Sequence, residues 1–167
     1  MTGDPLRLGL RSRSDTRRLG KALAKALVPG DLVVLEGSLG AGKTFLVQAV
    51  ALGLGVPASQ PVTSPTFEII HEFEGRARIV HADLYRLSPD EPLDELGLLE
   101  GIGASAITLV EWGDRFASQL GERGLWLWLE LGEGETRSCR LEPRGAAGRA
   151  LYDRLFPLLP KSSRRSP

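Results

Sequence analysis

Residues 37–44 read GSLGAGKT, which fits the pattern GxxxxGK[ST] with Gly37, Gly42, Lys43 and Thr44 at the fixed positions. A polyphosphate is wrapped by backbone N–H groups that point inward, and only a loop nearly free of side chains lets main chain come that close. A helix beginning at the end of such a loop adds the positive end of its dipole. In that arrangement Lys43 reaches the β and γ phosphates, and the Thr44 hydroxyl takes one position on Mg²⁺. The alternative is a glycine turn without chemical use. Against it stand the apolar run LVVL before the loop and the helix-like KTFLVQAVALGL after it, the context that the motif requires.

A phosphate loop hydrolyses nothing alone; it needs an acid near the metal, at the end of a neighbouring strand. Asp83 ends the run RIVHAD and Glu111 ends AITLVE. Each follows a mostly apolar stretch, the pattern of an acid at the carboxyl edge of a sheet, where ligands of α/β folds collect. An ordinary strand-end carboxylate that caps a turn would leave the same trace.

The elements that must hold these groups follow from periodicity. PLRLGL alternates like a short edge strand, and SDTRRLGKALAKAL reads as a helix capped by Ser14 or Asp15, with Leu19, Leu23 and Leu27 on one face. LVVLE suits a strand buried on both faces. A helix is expected over 43–54, stopped by Gly53, Gly55 and Pro57. TFEIIHEFEGRARIVHADLYRL reads as an antiparallel hairpin turning at residues 74–76, so a sheet that starts parallel becomes mixed. DEPLDELGLLEGI predicts a short helix with Pro92 near its start and Gly97 near its end. AITLVEW is a further strand. LWLWLEL places Leu125, Leu127, Leu129 and Leu131 on one face and pairs with TRSCRLE across GEGE. A last helix over 146–155 turns Leu151 and Leu155 to the core. Residues 1–158 thus read as one α/β domain and 159–167 as a frayed tail.

Composition narrows the function. The 21 basic and 21 acidic residues cancel, so no overall field draws the chain to nucleic acid. The single cysteine, Cys139, excludes an internal disulfide framework and a cysteine-rich zinc site. No segment approaches the roughly 18 apolar residues of a membrane span, and the N-terminus lacks an apolar signal region, which together predict a cytoplasmic protein. The chain contains no asparagine, so the NKxD motif that reads guanine is impossible and a GTPase of the usual kind is disfavoured.

GSLGAGKT, VTSPTFEII, HADLYRL and LVEW, in this order and at these separations, resemble the bacterial TsaE family (formerly YjeE), the small ATPase of tRNA threonylcarbamoyladenosine synthesis. The resemblance runs from the first helix to about Arg140. It implies a three-layer P-loop fold with a mixed central sheet flanked by helices. It also implies Mg²⁺ and ATP as cofactors, and slow hydrolysis dependent on the partners TsaD and TsaB, so that tRNA is met only through that complex, with no DNA or membrane partner. Carried over by motif, Gly37, Ser38, Leu39, Gly40, Ala41, Gly42, Lys43 and Thr44 hold phosphate; Thr44, Glu111 and Asp83 serve the metal, Glu111 foremost; and Lys43, Asp83 and Glu111 are the catalytic set, with Asp83 also a candidate to order water. Trp112 corresponds to the tryptophan beside the family acid. Residues 63–66, TSPT, resemble a switch loop that offers Thr66; for the basic residue of the family's late hairpin the chain offers Arg137 and Arg140 without a fixed register, Arg137 ranked first; and Thr16 is a candidate for the adenine pocket by position. His81 is open between a packed strand histidine and a site residue. Tyr85 and Arg86 are candidates for a partner-facing surface. Phe45 departs from the family, which often carries a second threonine there.

Two rivals share the loop. A small-molecule kinase needs an arginine-rich lid for which the chain has little room. A nucleotide-switched binding module would use ATP to order a docking face, with hydrolysis incidental.

Overall fold

The computed structural model describes residues 5–63, 68–161 and 164–165. Its centre is a strand that the sequence makes apolar on both sides. β2 (Leu32–Glu36) is buried at every position, with Val33 and Leu35 in one apolar cluster and Leu32 and Val34 in a second on the opposite face. Parallel strands flank it: β5 (Ala106–Glu111) on one side, itself beside β4 (Arg78–Asp83), and β6 (Gly124–Leu131) on the other. Antiparallel strands extend both edges, namely β3 (Ile70–Glu74) against β4, and β7 (Arg137–Arg144) followed by β1 (Leu6–Leu10) beyond β6. A two-residue β8 (Arg164–Arg165) pairs with Arg7 and Leu8. The mixed eight-stranded order is β3-β4-β5-β2-β6-β7-β1-β8.

Helices cover both faces, completing the three layers. α1 (Arg13–Ala26), α2 (Lys43–Gly53) and α5 (Gly145–Leu155) lie on one face with the larger cluster, into which Leu19, Leu23, Leu151 and Leu155 all point. On the other, α3 (Leu98–Gly101) and α4 (Ala117–Leu120) close a smaller core around Trp126 and Phe116. α1 and α2 touch closely because the contact is made of small residues. A Cβ added at Gly20 would lie 2.4 Å from Cβ of Ala49, and one at Gly53 2.6 Å from Cβ of Ala24. Among the described residues no helix is long and apolar enough to cross a membrane.

Two expectations need correction and one a qualification. The cap of α1 is Ser12, whose side chain accepts from the Asp15 N–H, while the Asp15 carboxylate reaches back to the N–H of Arg11. Gly97 precedes α3 instead of closing a helix: it adopts φ 71° ahead of the four-residue helix, and residues 93–97 before that helix are turn. Leu131 keeps the alternation of the leucine face of β6 but is 52% exposed, because β6 there runs beyond Trp128, the last residue paired with β2.

Candidate functional site

The carboxyl ends of β2, β4 and β5 meet at one edge of the sheet. Leu35 is the partner of Glu111 and Asp83 is the partner of Glu111 in the parallel ladders, so both predicted acids stand beside the start of the glycine loop. Side chains alternate along a strand. Ile107 and Leu109 face the cluster that α2 covers, and Glu111, two residues on, turns the same way, as do His81 and Asp83 after Ile79.

The loop itself is shaped by backbone that only glycine tolerates. Gly37 leaves β2 at φ 146° with its Cα pressed against β6, where a Cβ would sit 2.4 Å from the carbonyl oxygen of Leu129. Gly42 takes φ 103° and opens α2, putting Lys43 and Thr44 in the first turn. Around Gly40 a Cβ would meet nothing within 4 Å, so this bend of the loop faces open space. Arg137, from the start of β7, supports the loop from behind: its Nε donates to the carbonyl of Ala41 at 2.9 Å and its Nη2 to that of Gly40 at 3.5 Å. Arg140 turns elsewhere, to Glu142 at 2.8 Å.

Lys43 is buried, and its Nζ donates to the carbonyls of Gly37 at 2.6 Å and Ser38 at 3.0 Å. The same ammonium lies 3.8 Å from the centroid of the Trp112 ring. Burial lowers its proton affinity, while Glu111, Glu36 and Asp83 oppose that by favouring the charge. Thr44 Oγ1 is 3.1 Å from both carboxylate oxygens of Glu111. Glu111 is 2% exposed and also takes His81 Nε2 at 2.9 Å on Oε1. Asp83 is less enclosed, and its Oδ1 accepts the N–H of Tyr85 at 3.0 Å.

Trp112 is the single non-glycine residue with positive φ among those described, at 62°. Such geometry is costly for a bulky residue and persists only where surroundings fix it. Here its N–H is bound to the carbonyl of Leu35 at 3.0 Å, one side of its indole carries Lys43, and the Tyr85 ring lies 4.9 Å away. A cavity of about 690 Å³ opens over these groups, lined by Gly40, Lys43, Thr44, Asp83, Glu111 and Trp112 among others.

The structure therefore brings residues 37–44, Asp83, Glu111, Trp112 and Arg137 together. Ser38 and Leu39 are exposed at the tip of the loop, and Ala41 is buried beneath it. Thr16 is not brought to this cavity: it is buried in the first turn of α1, 3% exposed. Thr66 lies outside the described residues. Phe45 lies beneath the guanidinium groups of Arg13 and Arg17, 4.5 and 5.3 Å from its ring centre, which gives the position an aromatic role in place of a hydroxyl one.

Glu36 escapes sequence reading. It ends β2 directly before the loop, is buried, and accepts the N–H of Asp114 at 2.5 Å, tying the loop's origin to the turn after Trp112. Burial is the largest influence on its carboxyl and raises its pKa above the ordinary value. An acid at the end of an all-apolar strand was the available signal, the same one that marks Glu111. Arg115 is a second such residue, donating to the carbonyls of Leu84 at 3.2 Å and Tyr85 at 2.8 Å and so holding the turn that follows Asp83.

The family model described as threonylcarbamoyl adenosine biosynthesis protein TsaE matches residues 10–139. Proteins described as tRNA threonylcarbamoyladenosine biosynthesis protein TsaE are similar: that of Treponema pallidum is 41% identical over 112 residues, covering 67% of this chain and 82% of that protein. The Streptomyces coelicolor protein is 44% identical over 124 residues, covering 72% and 82%. The crystal structure of Bacillus subtilis YdiB superimposes with a TM-score of 0.76 at 28% identity, over 94% of this chain and 97% of that one. A glycine loop between β2 and α2, acids on the two adjoining strand ends and a match that spans most of the sequence converge on one conclusion: the chain belongs to the TsaE family, whose role is in tRNA threonylcarbamoyladenosine biosynthesis.

Proposed function

We propose that the protein is a Mg²⁺-dependent ATPase of weak intrinsic activity that acts on a TsaB–TsaD complex during tRNA threonylcarbamoyladenosine formation. The observation that carries the reading is the convergence of Lys43, Thr44 and the buried Glu111 beside a loop of bare main chain. The residues present fit the groups they would hold. Gly40 and Gly42 line the cavity with main chain, and a Cβ at Gly40 would meet nothing within 4 Å, as a phosphate chain needs. Thr44 and Glu111 offer hard oxygen donors. Among the described residues no cluster of three or more His, Cys, Asp or Glu side chains could hold a metal by itself. Mg²⁺ suits such a site, because it is bound through one or two protein oxygens with phosphates and waters completing its shell.

When bound, Mg²⁺ supplies positive charge to the β and γ oxygens. Lys43 adds a second cation at the same oxygens by exchanging the carbonyls of Gly37 and Ser38 for phosphate. The N–H groups at the start of α2 donate to the same chain of phosphates. Thr44, with its hydroxyl released from the Glu111 carboxylate, and Glu111, directly or through water, are the residues that would hold the metal. Asp83, tethered by the Tyr85 N–H and less enclosed than Glu111, would orient the attacking water. With a net charge of zero, the chain meets tRNA through its partners and not by its own phosphate contacts.

The test is ATP turnover with and without the TsaB–TsaD pair, for wild type and for Lys43→Ala, Asp83→Ala and Glu111→Ala. Stimulation by the pair that disappears in all three variants supports the reading. Phosphoryl transfer to a small acceptor replaces it with a kinase. If Glu111→Ala loses turnover yet still supports tRNA modification, while Lys43→Ala does not, nucleotide binding and not hydrolysis is the working step.

A further inference from the structure

We propose that His81 is a positioning residue: by donating from Nε2 to Oε1 of Glu111, it fixes that carboxylate for magnesium when the Thr44 hydroxyl leaves it. The inference rests on the ATPase reading above and adds a component to the same site. His81 lies in β4 and Glu111 in the adjoining β5, and their side chains are 0% and 2% exposed, so their 2.9 Å contact is made without solvent.

The proton assignment follows from the surroundings of the ring. Nδ1 of His81 is buried and has no hydrogen-bond partner among the described residues. A proton there would be an unsatisfied buried donor, and the Nε2 lone pair would then face a carboxylate oxygen. Placing the single proton on Nε2 removes both penalties, because a carboxylate only accepts.

The consequence concerns what happens as the metal is taken up. Both oxygens of Glu111 are 3.1 Å from the Thr44 hydroxyl, so two side chains hold the carboxylate in this state. The metal site needs that hydroxyl, and its departure would leave Glu111 free to rotate. The bond to His81 is made to Oε1 from the neighbouring strand β4, so it would still hold that oxygen once the hydroxyl turned away, with Oε2 left for a metal. Partners of this kind behind a metal-binding carboxylate set its orientation and its basicity.

The experiment measures the affinity of full-length protein for a non-hydrolysable ATP analogue by calorimetry, once in Mg²⁺ and once in EDTA, for wild type, His81→Gln, His81→Asn and His81→Phe. Glutamine can bring its amide nitrogen to the place of Nε2, whereas asparagine stops at the level of Nδ1 and phenylalanine keeps the volume without a donor. The expected result is that Asn and Phe lose roughly 10- to 100-fold of the Mg²⁺-dependent gain in affinity, that Gln retains most of it, and that the EDTA affinities of all four agree. A merely space-filling histidine would make Gln and Asn behave alike, and an Asn variant with the wild-type gain overturns the inference while leaving the ATPase reading intact. If wild type binds the analogue equally well with and without Mg²⁺, the metal reading falls and the inference with it. Should the Phe variant fail to fold, the comparison of Gln with Asn decides.

Discussion

The ammonium of Lys43 lies 3.8 Å from the centre of the Trp112 indole while donating to two carbonyls of its own loop. The lysine is thus held by its own loop at the cavity that the proposed phosphate chain would occupy. Lys43→Ala removes a cation whose charge-assisted contacts to phosphate are worth about 3 kcal/mol. We expect affinity for ATP to fall roughly 100-fold, with the melting temperature little changed, as measured by calorimetry and thermal unfolding.

Glu111 has two hydrogen-bonding neighbours, His81 and Thr44, that lose their acceptor if it is truncated. Glu111→Ala should lose turnover and also about 1–3 kcal/mol of stability, from the buried groups left unpaired. Glu111→Gln keeps the shape and one acceptor oxygen, so it should lose turnover with a smaller change in stability. Denaturant unfolding alongside ATPase assays separates the two effects.

Arg137 holds the loop by main-chain contacts alone, at Ala41 and Gly40. Arg137→Ala should therefore loosen the loop and weaken ATP binding roughly tenfold, on the scale of one charge-assisted hydrogen bond. Arg137→Lys should not restore it, since a point ammonium cannot reproduce the forked geometry. Amide hydrogen exchange at residues 38–42 should quicken in both variants.

Glu36 predicts a pH dependence. Burial raises its folded-state pKa above the ordinary 4.5, the bonds from Asp114 and Gly113 and the charge of Lys43 partly opposing this. The folded protein therefore holds this proton more tightly than the unfolded chain does. The associated stability is full below pH 4.5 and is lost as pH rises through the folded value. Glu36→Gln cannot ionise, so the stability of wild type relative to this variant should fall as pH rises from about 4 to 7, read from denaturant unfolding at each pH. A constant difference across that range would contradict the assignment.

The close approach of α1 and α2 sets two known effects against each other at Gly20. Alanine is the better helix former by about 1 kcal/mol, but its Cβ would lie 2.4 Å from that of Ala49, which has no flexible end to yield. Overpacking costs about 1–3 kcal/mol, so Gly20→Ala should destabilise on balance. Adding Ala49→Gly should restore part of the loss by removing the clash, and a double-mutant cycle in urea measures the coupling.

Much of this arrangement was legible because the signals are local. The loop, the strand before it and the helix after it are fixed by residues 32–53, where glycine, lysine and apolar periodicity all agree. Asp83 and Glu111 were visible as acids at strand ends, and the order of strands then made them neighbours. What could not be read depends on contacts distant in sequence. Glu36 meets a backbone N–H 78 residues away, and His81 meets Glu111 30 residues away; neither leaves a periodic trace. Residues 90–97 misled because Pro92 and Gly97 bracket a segment that looks helical, whereas Gly97 serves as the entry to α3 and the chain before it turns. The pairing of residues 164–165 with β1 has no sequence signature in so polar a segment.

Gly37 is clamped against the carbonyl of Leu129, whereas a side chain at Gly40 would project into open space. The cradle thus has one welded end and one free end. A phosphate chain lying in that cradle would therefore have room beside Gly40, while the other end of the loop stayed seated on the central strand β6.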